Sequence, residues 1–220
     1  MSAFPFRIVG FDLDGTLIDT AGDLTAAVNH ALERLDRAPL TVAEVRPMIG
    51  LGARHMLEQG LRATGGVPDG AVDRLMPDLL DYYGAHIAVH SRPFPGLIAV
   101  LDRLDALGVF TTVVTNKAER LARQLLGELG LAERMAAIIG GDTVGVRKPS
   151  PDPILAMIAQ CGGGRTAFVG DSIYDVQSAR AADVPSILVR FGFLDRPAEA
   201  FGADHVIDHY DDLIALLETL

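Results

Sequence analysis

Apolar positions along the chain fall into two regimes. Ile8 to Phe11 is a short apolar run that ends on Asp12, as a buried strand would. Through residues 19–90 the spacing is helical only. Leu24, Ala27, Val28, Ala31, Leu32 and Leu35 recur every three or four residues and form one stripe, which predicts a long helix from about Thr20. Thr41-Val42-Ala43-Glu44 has the form of a capping box and starts another helix. Helical patterns resume at about 53–63 and 69–88, and Pro77 is expected to break or kink the second. No strand pattern occurs between about residues 19 and 90.

After Pro93 and Pro95 the pattern alternates. Leu97, Val100, Leu101, Leu104 and Leu107 make a helix face closed by Gly108. Strands are predicted at 110–114, 137–139, 166–169, 186–189 and 205–207. Helices are predicted at 118–129, 151–160, 173–182 and 211–220. Strands separated by helices of this length build a parallel sheet covered on both faces. The expected fold is α/β, with a Rossmann-like core over 1–18 and 91–220 and an all-helical cap over 19–90 inserted after the first strand. There is no internal repeat and no low-complexity segment.

Composition narrows the function classes. The 220 residues are 49% hydrophobic and 22% charged, which is enough apolar material for a substantial core. A formal net charge of −10 argues against a nucleic-acid surface, which needs a basic face. An anionic ligand must then be drawn in by a local positive site. The single cysteine, Cys161, excludes an intrachain disulfide and a multi-cysteine metal site, and reads as a packing residue beside Gly162-Gly163-Gly164. Residues 1–6 carry no basic leader, and no stretch approaches the ~18 apolar residues of a membrane span. A cytoplasmic protein with no membrane partner is the expectation.

Four stretches end or follow the apolar runs that read as buried strands. They are Asp12-Leu13-Asp14-Gly15-Thr16, Thr115-Asn116, Lys148-Pro149, and Gly170-Asp171-Ser172 with Asp175 four residues after Asp171. Parallel α/β sheets place their sites at the carboxyl ends of strands, so these side chains are expected to converge. Together they suit phosphoryl chemistry. Asp12 is placed to attack phosphorus and form an aspartyl-phosphate, dividing hydrolysis into two steps. Asp14, two residues on, would protonate the leaving oxygen and then activate water. Gly15 permits a sharp turn and a close approach of backbone N–H groups to phosphoryl oxygens. Asp12 and Asp171 are hard oxygen ligands suited to Mg²⁺, with Asp175 supporting them. Lys148 supplies positive charge, and Thr115 and Asn116 supply a hydroxyl and an amide to orient the phosphoryl group.

In these motifs the chain resembles the haloacid dehalogenase superfamily. The match is carried by Asp12-Leu13-Asp14-Gly15-Thr16, Thr115, Lys148 and Gly170-Asp171 with Asp175, and spans Ile8 to about His209. Phe11 to Asp19, Val114-Thr115-Asn116-Lys117, Ile49-Gly50-Leu51-Gly52, Ile139 to Asp142, Lys148 to Pro153 and Phe168 to Asp175 are similar to its phosphoglycolate phosphatase branch. The resemblance implies Asp12 as nucleophile and Asp14 as acid/base. It implies metal ligation by Asp12, Asp171 and the Asp14 main-chain carbonyl, and substrate contacts from Gly15, Thr16, Thr115, Asn116 and Lys148. The implied activity is a Mg²⁺-dependent phosphatase acting on a small phosphorylated metabolite, with 2-phosphoglycolate foremost.

A phosphosugar mutase, a pyrophosphatase or another small-molecule phosphatase of that superfamily also fits the motifs. A dehalogenase is disfavoured because Asp14 is present. From a different class, a non-enzymatic receiver domain phosphorylated on aspartate has no place for the helical insertion, which suits a lid that excludes water and selects substrate. Arg54, just after the Gly50–Gly52 loop, is either an exposed helix residue or a cap residue facing the substrate. His86 and His90 lie four apart, a spacing that can bind metal, but with no further ligand nearby they read as a solvated cap face. Tyr82-Tyr83 reads as cap packing. Nothing in the sequence bears on oligomeric state.

Overall fold

The computed structural model describes residues 4–220; Met1, Ser2 and Ala3, part of the stretch read above for a leader, lie outside the described residues. In chain order the elements are β1 (Ile8–Phe11), β2 (Ile18–Asp19), α1 (Ala21–Glu33), α2 (Val42–Val45), α3 (Ala53–Ala63), α4 (Ala71–Ala85), β3 (Arg92–Pro93), α5 (Leu97–Ala106), β4 (Phe110–Val114), α6 (Glu119–Glu128), β5 (Ala137–Ile139), α7 (Asp152–Gln160), β6 (Thr166–Gly170), α8 (Ile173–Ala181), β7 (Ser186–Val189), β8 (His205–Ile207) and α9 (Leu213–Thr219). Six strands form one parallel sheet in the order β5-β4-β1-β6-β7-β8.

Period-two alternation explains why β1 is apolar throughout. Val9 and Phe11 enter the larger core on one face of the sheet. Ile8 enters a second cluster on the other face with Val114, Ile139, Met157 and Phe168. Both faces are covered, as expected where helices connect parallel strands. Gly10 is required by packing, since a Cβ there would lie 2.8 Å from the Phe168 ring and 2.9 Å from Met157 Cε.

The order of the strands positions the site. From β1 the chain builds β4 and β5 on one side and β6, β7 and β8 on the other. Phe11, the last residue of β1, is level with Val113 of β4 and Val169 of β6, so the segments leaving these three strands face one another.

Helices α1 to α4 pack together, with Leu24, Val28 and Leu32 of α1 in one apolar core with Leu57, Leu61, Leu75 and Leu79. The short antiparallel pair β2–β3, with Ile18 opposite Pro93 and Asp19 opposite Arg92, straps together the two places where the chain enters and leaves this helical block. Asp23, buried in α1, accepts hydrogen bonds from the His90 N–H (2.9 Å), the Ser91 N–H (2.8 Å) and the Ser91 hydroxyl (2.7 Å).

Three local expectations are corrected. Helix α4 runs through Pro77 without a break. Pro77 is exposed on that helix, so the Asp73 carbonyl that loses its intrahelical donor can be hydrated. Because α4 ends at Ala85, His86 and His90 do not share a helix face; the His86 ring bonds the Tyr82 carbonyl (2.9 Å) and stacks on the Tyr82 ring. The closing segment begins as a 3₁₀ turn at Tyr210–Asp212 before α9. Cys161 is buried at the end of α7, the packing role expected of it. No described helix is long and apolar enough to cross a membrane.

Candidate active site

Asp12 is the first residue past β1, and its N–H still donates into the sheet, to the Val169 carbonyl at 2.9 Å. The carboxylate is therefore held rigidly at the strand end, with only 5% of the residue exposed. Lys148 Nζ lies 2.8 Å from Asp12 Oδ1 and 2.6 Å from Asp175 Oδ1, and donates to the Val114 carbonyl at 2.7 Å. Asp12 Oδ1 is thus held by the Lys148 ammonium and accepts from no other described residue.

Asp171 follows β6 directly. Its Oδ2 accepts from the Phe193 N–H at 2.6 Å, and its Oδ1 stands 3.5 Å from the Thr16 hydroxyl. Asp175 is the third residue of α8 and completes a capping box with Ser172. Its Oδ2 accepts from the Ser172 hydroxyl (2.6 Å) and from the N–H groups of Ser172 (3.0 Å) and Asp171 (3.2 Å). Asp175 thus holds Lys148 and the Asp171 backbone in place, with both oxygens occupied.

Glycines make the crowding possible. Gly15 has φ +82°, and a Cβ there would lie 2.1 Å from Asp171 Oδ2. A Cβ on Gly192 would lie 2.3 Å from that of Asp171 and 2.6 Å from the Gly15 carbonyl. The Gly15 N–H donates to the Ile18 carbonyl at 2.9 Å and so closes the sharp turn after Asp14. Thr16 is fully buried, its hydroxyl toward Asp171 and its carbonyl accepting from the Tyr210 hydroxyl at 2.8 Å.

The loop after β4 supplies the remaining groups. Thr115 Oγ1 accepts from the Lys117 N–H at 3.2 Å, which leaves its own proton to donate. Asn116 donates to the carbonyls of Gly50 (2.9 Å) and Lys148 (3.2 Å) and accepts from the Lys148 N–H (3.0 Å). Its amide therefore ties the cap loop and the lysine loop to the core, a different use from the phosphoryl contact expected for it. Arg54 borders the cavity, but its guanidinium pairs with Asp73 on an exposed face.

Asp12, Asp14, Thr115, Asn116 and Lys117 share one wall of a cavity of about 260 Å³ beneath the helical block. Its opposite wall is largely apolar, with Leu24, Met56, Met76, Leu79 and Tyr83. Lys117 is buried between Asp14 and Tyr83, and its position directly after Thr115-Asn116 is the local sequence signal for it. Gly192 and Phe193, which hold Asp171, lie far from every motif and leave no such signal.

Charge in this site is poorly balanced. Asp12, Asp171 and Asp175 each bring an oxygen within 4.8 Å of the others, against the single ammonium of Lys148. Burial pushes the Asp12 carboxyl up to about 7, helped by Asp175 and Asp14 and opposed by Lys148. Burial likewise drives Asp171 well above the carboxylate range, with Asp12 and Asp175 adding to it and the Phe193 N–H opposing. For Lys148, burial works against the charge, and Asp12 and Asp175 more than offset it, so its pKa is raised. Two neighbouring buried carboxylates that are costly to ionise, with one ammonium against three acidic groups, fit a hard divalent cation. Among the described residues this cluster holds only carboxylates, so its donors are all oxygens.

The sequence profile described as haloacid dehalogenase-like hydrolase matches residues 9–189. A phosphoglycolate phosphatase of Agrobacterium fabrum is 44% identical over 215 residues, covering 96% of this chain and 92% of that protein. An N-acetylmuramic acid 6-phosphate phosphatase of Pseudomonas aeruginosa is 35% identical, covering 99% of this chain and 97% of that one. Among solved structures, a predicted phosphoglycolate phosphatase from Haemophilus somnus 129pt superimposes with a TM-score of 0.90 at 25% identity, covering 96% of this chain and 98% of that one. With its strand-end carboxylates, its buried lysine and a match over most of its length, the chain belongs to the haloacid dehalogenase-like hydrolase family.

Proposed function

We propose that the protein is a Mg²⁺-dependent phosphatase that hydrolyses 2-phosphoglycolate to glycolate and phosphate through an aspartyl-phosphate. The observation that carries this reading is Asp12: a rigid, buried carboxylate paired with Lys148, beside Asp171, at the wall of a covered cavity. Asp12, Asp171 and the Asp14 carbonyl would hold the cation, which supplies positive charge against the phosphoryl oxygens and the nucleophile.

The chain's own groups account for the rest. Asp12 forms the new O–P bond. As the bond to the leaving oxygen breaks, that oxygen takes a proton from Asp14. Water then attacks the phosphorus, gives its proton to Asp14, and the bond to Asp12 breaks to release phosphate. Lys148 offsets the charge of Asp12, and Thr115 donates its hydroxyl proton to a phosphoryl oxygen. The cover of α1 to α4 limits water to what the second step consumes. Arg54, at the cavity border, would supply charge for a carboxylate on the leaving group by exchanging its exposed partner Asp73 for it.

A second reading has its own support. The largely apolar wall around about 260 Å³ is roomier than a two-carbon group needs, which favours a bulkier phosphomonoester. The relative named for N-acetylmuramic acid 6-phosphate fits that direction. Phosphate release with Mg²⁺ from 2-phosphoglycolate, N-acetylmuramic acid 6-phosphate, hexose phosphates and pyrophosphate decides between them. The proposal predicts the highest kcat/KM for 2-phosphoglycolate; a clear preference for a sugar phosphate overturns that substrate, and no metal-dependent release from any of them overturns the phosphatase reading. The cytoplasm is the setting this reading implies.

A further inference from the structure

Lys117 does no work in the steps above, yet it is almost wholly buried and its ammonium reaches two groups. Nζ stands 2.5 Å from Asp14 Oδ1 and donates to the Tyr83 hydroxyl at 2.8 Å. The ammonium also lies 4.8 Å from the centre of the Tyr83 ring. Burying a lysine is costly unless its charge is matched, so these contacts are what allow Lys117 to sit here. Burial works against the charge, and Asp14 and Tyr83 more than offset it, raising the lysine pKa.

The geometry at Asp14 is one-sided. Oδ1 accepts from Lys117 and from the Thr20 hydroxyl at 2.7 Å, while Oδ2 takes no hydrogen bond from any described residue. Two donors on one oxygen fix the rotation of the carboxyl group and leave the other oxygen for the reaction. Lys117 and the phenol oxygen that accepts from it come from different parts of the fold. Lys117 leaves β4 of the core, whereas Tyr83 lies on α4 of the helical block. Next to this contact the Gln124 side chain of α6 donates to the Gly84 carbonyl of α4 at 2.7 Å, a second link across the same seam.

We propose that Lys117 is a positioning residue for Asp14 and that the Tyr83 hydroxyl makes this positioning depend on the helical block covering the site. When α4 lies over the core, Tyr83 holds the ammonium against Oδ1, and Oδ2 is aimed at the leaving oxygen. When α4 lifts, the ammonium loses one of its two partners and the Asp14 carboxyl is free to rotate. Proton transfer from Oδ2 to the leaving oxygen, as the O–P bond to it breaks and the bond to Asp12 forms, is thereby confined to the covered state. This inference rests on the phosphatase reading and on Asp14 as its acid.

The test compares kcat/KM for p-nitrophenyl phosphate, whose leaving oxygen needs little protonation, with that for phenyl phosphate, which needs more. Neither ester carries a carboxylate, so recognition of the leaving group by Lys117 does not enter. In Lys117→Met the ratio of phenyl to p-nitrophenyl turnover should fall by about tenfold or more, the scale of a displaced general acid. In Tyr83→Phe, which removes one oxygen atom, the ratio should fall in the same direction by about threefold. Equal losses on both esters in a folded Lys117→Met protein overturn the inference. So does an unchanged ratio in Tyr83→Phe, which alone decides the matter if Lys117→Met does not fold by circular dichroism. An active wild type with either result leaves the phosphatase reading standing; a wild type inactive on both esters removes that reading and this inference with it.

Discussion

Replacing Asp12 with asparagine should abolish turnover and at the same time stabilise the metal-free protein. In the native state burial raises the Asp12 carboxyl from the ordinary 3.8 to about 7. A group whose native pKa lies above its unfolded pKa stabilises the fold below the unfolded value, and that contribution is lost as pH rises toward the native value. Here the window runs from about pH 4 to pH 7. Three pH units at about 1.4 kcal/mol each put the cost of the ionised side chain near 4 kcal/mol above pH 7. Asparagine has the same shape and no charge, but forfeits the ion pair with Lys148 at 2.8 Å, so about half of that should be recovered. A gain of about 2 kcal/mol in a chain of this size is an increase of roughly 4–8 °C in Tm.

The assay is thermal unfolding of chelator-treated wild type and Asp12→Asn at pH 8 and pH 5. The gain should be full at pH 8 and shrink at pH 5, where the wild-type carboxyl is already protonated. Adding Mg²⁺ at pH 8 should raise the wild-type Tm more than that of the variant and close the gap. A lower Tm for the metal-free variant at pH 8, or the same gain at both pH values, would refute the charge imbalance argued for this site.

Three further substitutions probe separate links. Gly15→Ala must find room for a Cβ 2.1 Å from Asp171 Oδ2 at φ +82°, so it should cost about 1–2 kcal/mol in backbone strain and abolish metal-dependent phosphate release; activity near wild type would refute the crowding. Asp23→Ala leaves the His90 and Ser91 N–H groups and the Ser91 hydroxyl without their acceptor, and should lower stability in urea unfolding by about 2–4 kcal/mol; a loss below 1 kcal/mol would mean the clamp is replaceable. Arg54→Ala frees Asp73 and removes a cation from the cavity border, so KM for 2-phosphoglycolate should rise several-fold while p-nitrophenyl phosphate is little affected; equal effects on both would place leaving-group recognition elsewhere.

Most of the architecture was legible in the chain itself. The period of the apolar positions located nearly every element, because a half-buried helix and a doubly covered strand need different spacings whatever surrounds them. The stripe from Leu24 to Leu32 became α1, the run Phe110 to Val114 became β4, and Thr41 begins a helix with the capping box its sequence carries. Asp12 and Asp171 could be found for a related reason: the residue after a parallel strand stands at the end where sites are built. Pro77 misled because its penalty depends on whether the carbonyl it deprives is exposed, and only packing decides that.

Tertiary structure alone decided what each polar group is used for. Asn116 was visible as a polar residue after β4, but a hydrogen bond to the Gly50 carbonyl, 66 positions away, determines that its amide joins cap to core. Asp175 was visible four residues past Asp171, but only the fold showed both its oxygens engaged, one with Lys148 and the other with the start of α8. Lys117 and Tyr83 are 34 positions apart and meet because the helical block closes over the sheet, while Phe193 reaches Asp171 from a loop with no motif at all. Backbone spacing is a local property that a short segment carries with it. A hydrogen bond or an ion pair needs two partners whose distance is set by every element packed between them, and that information exists only once the chain has folded.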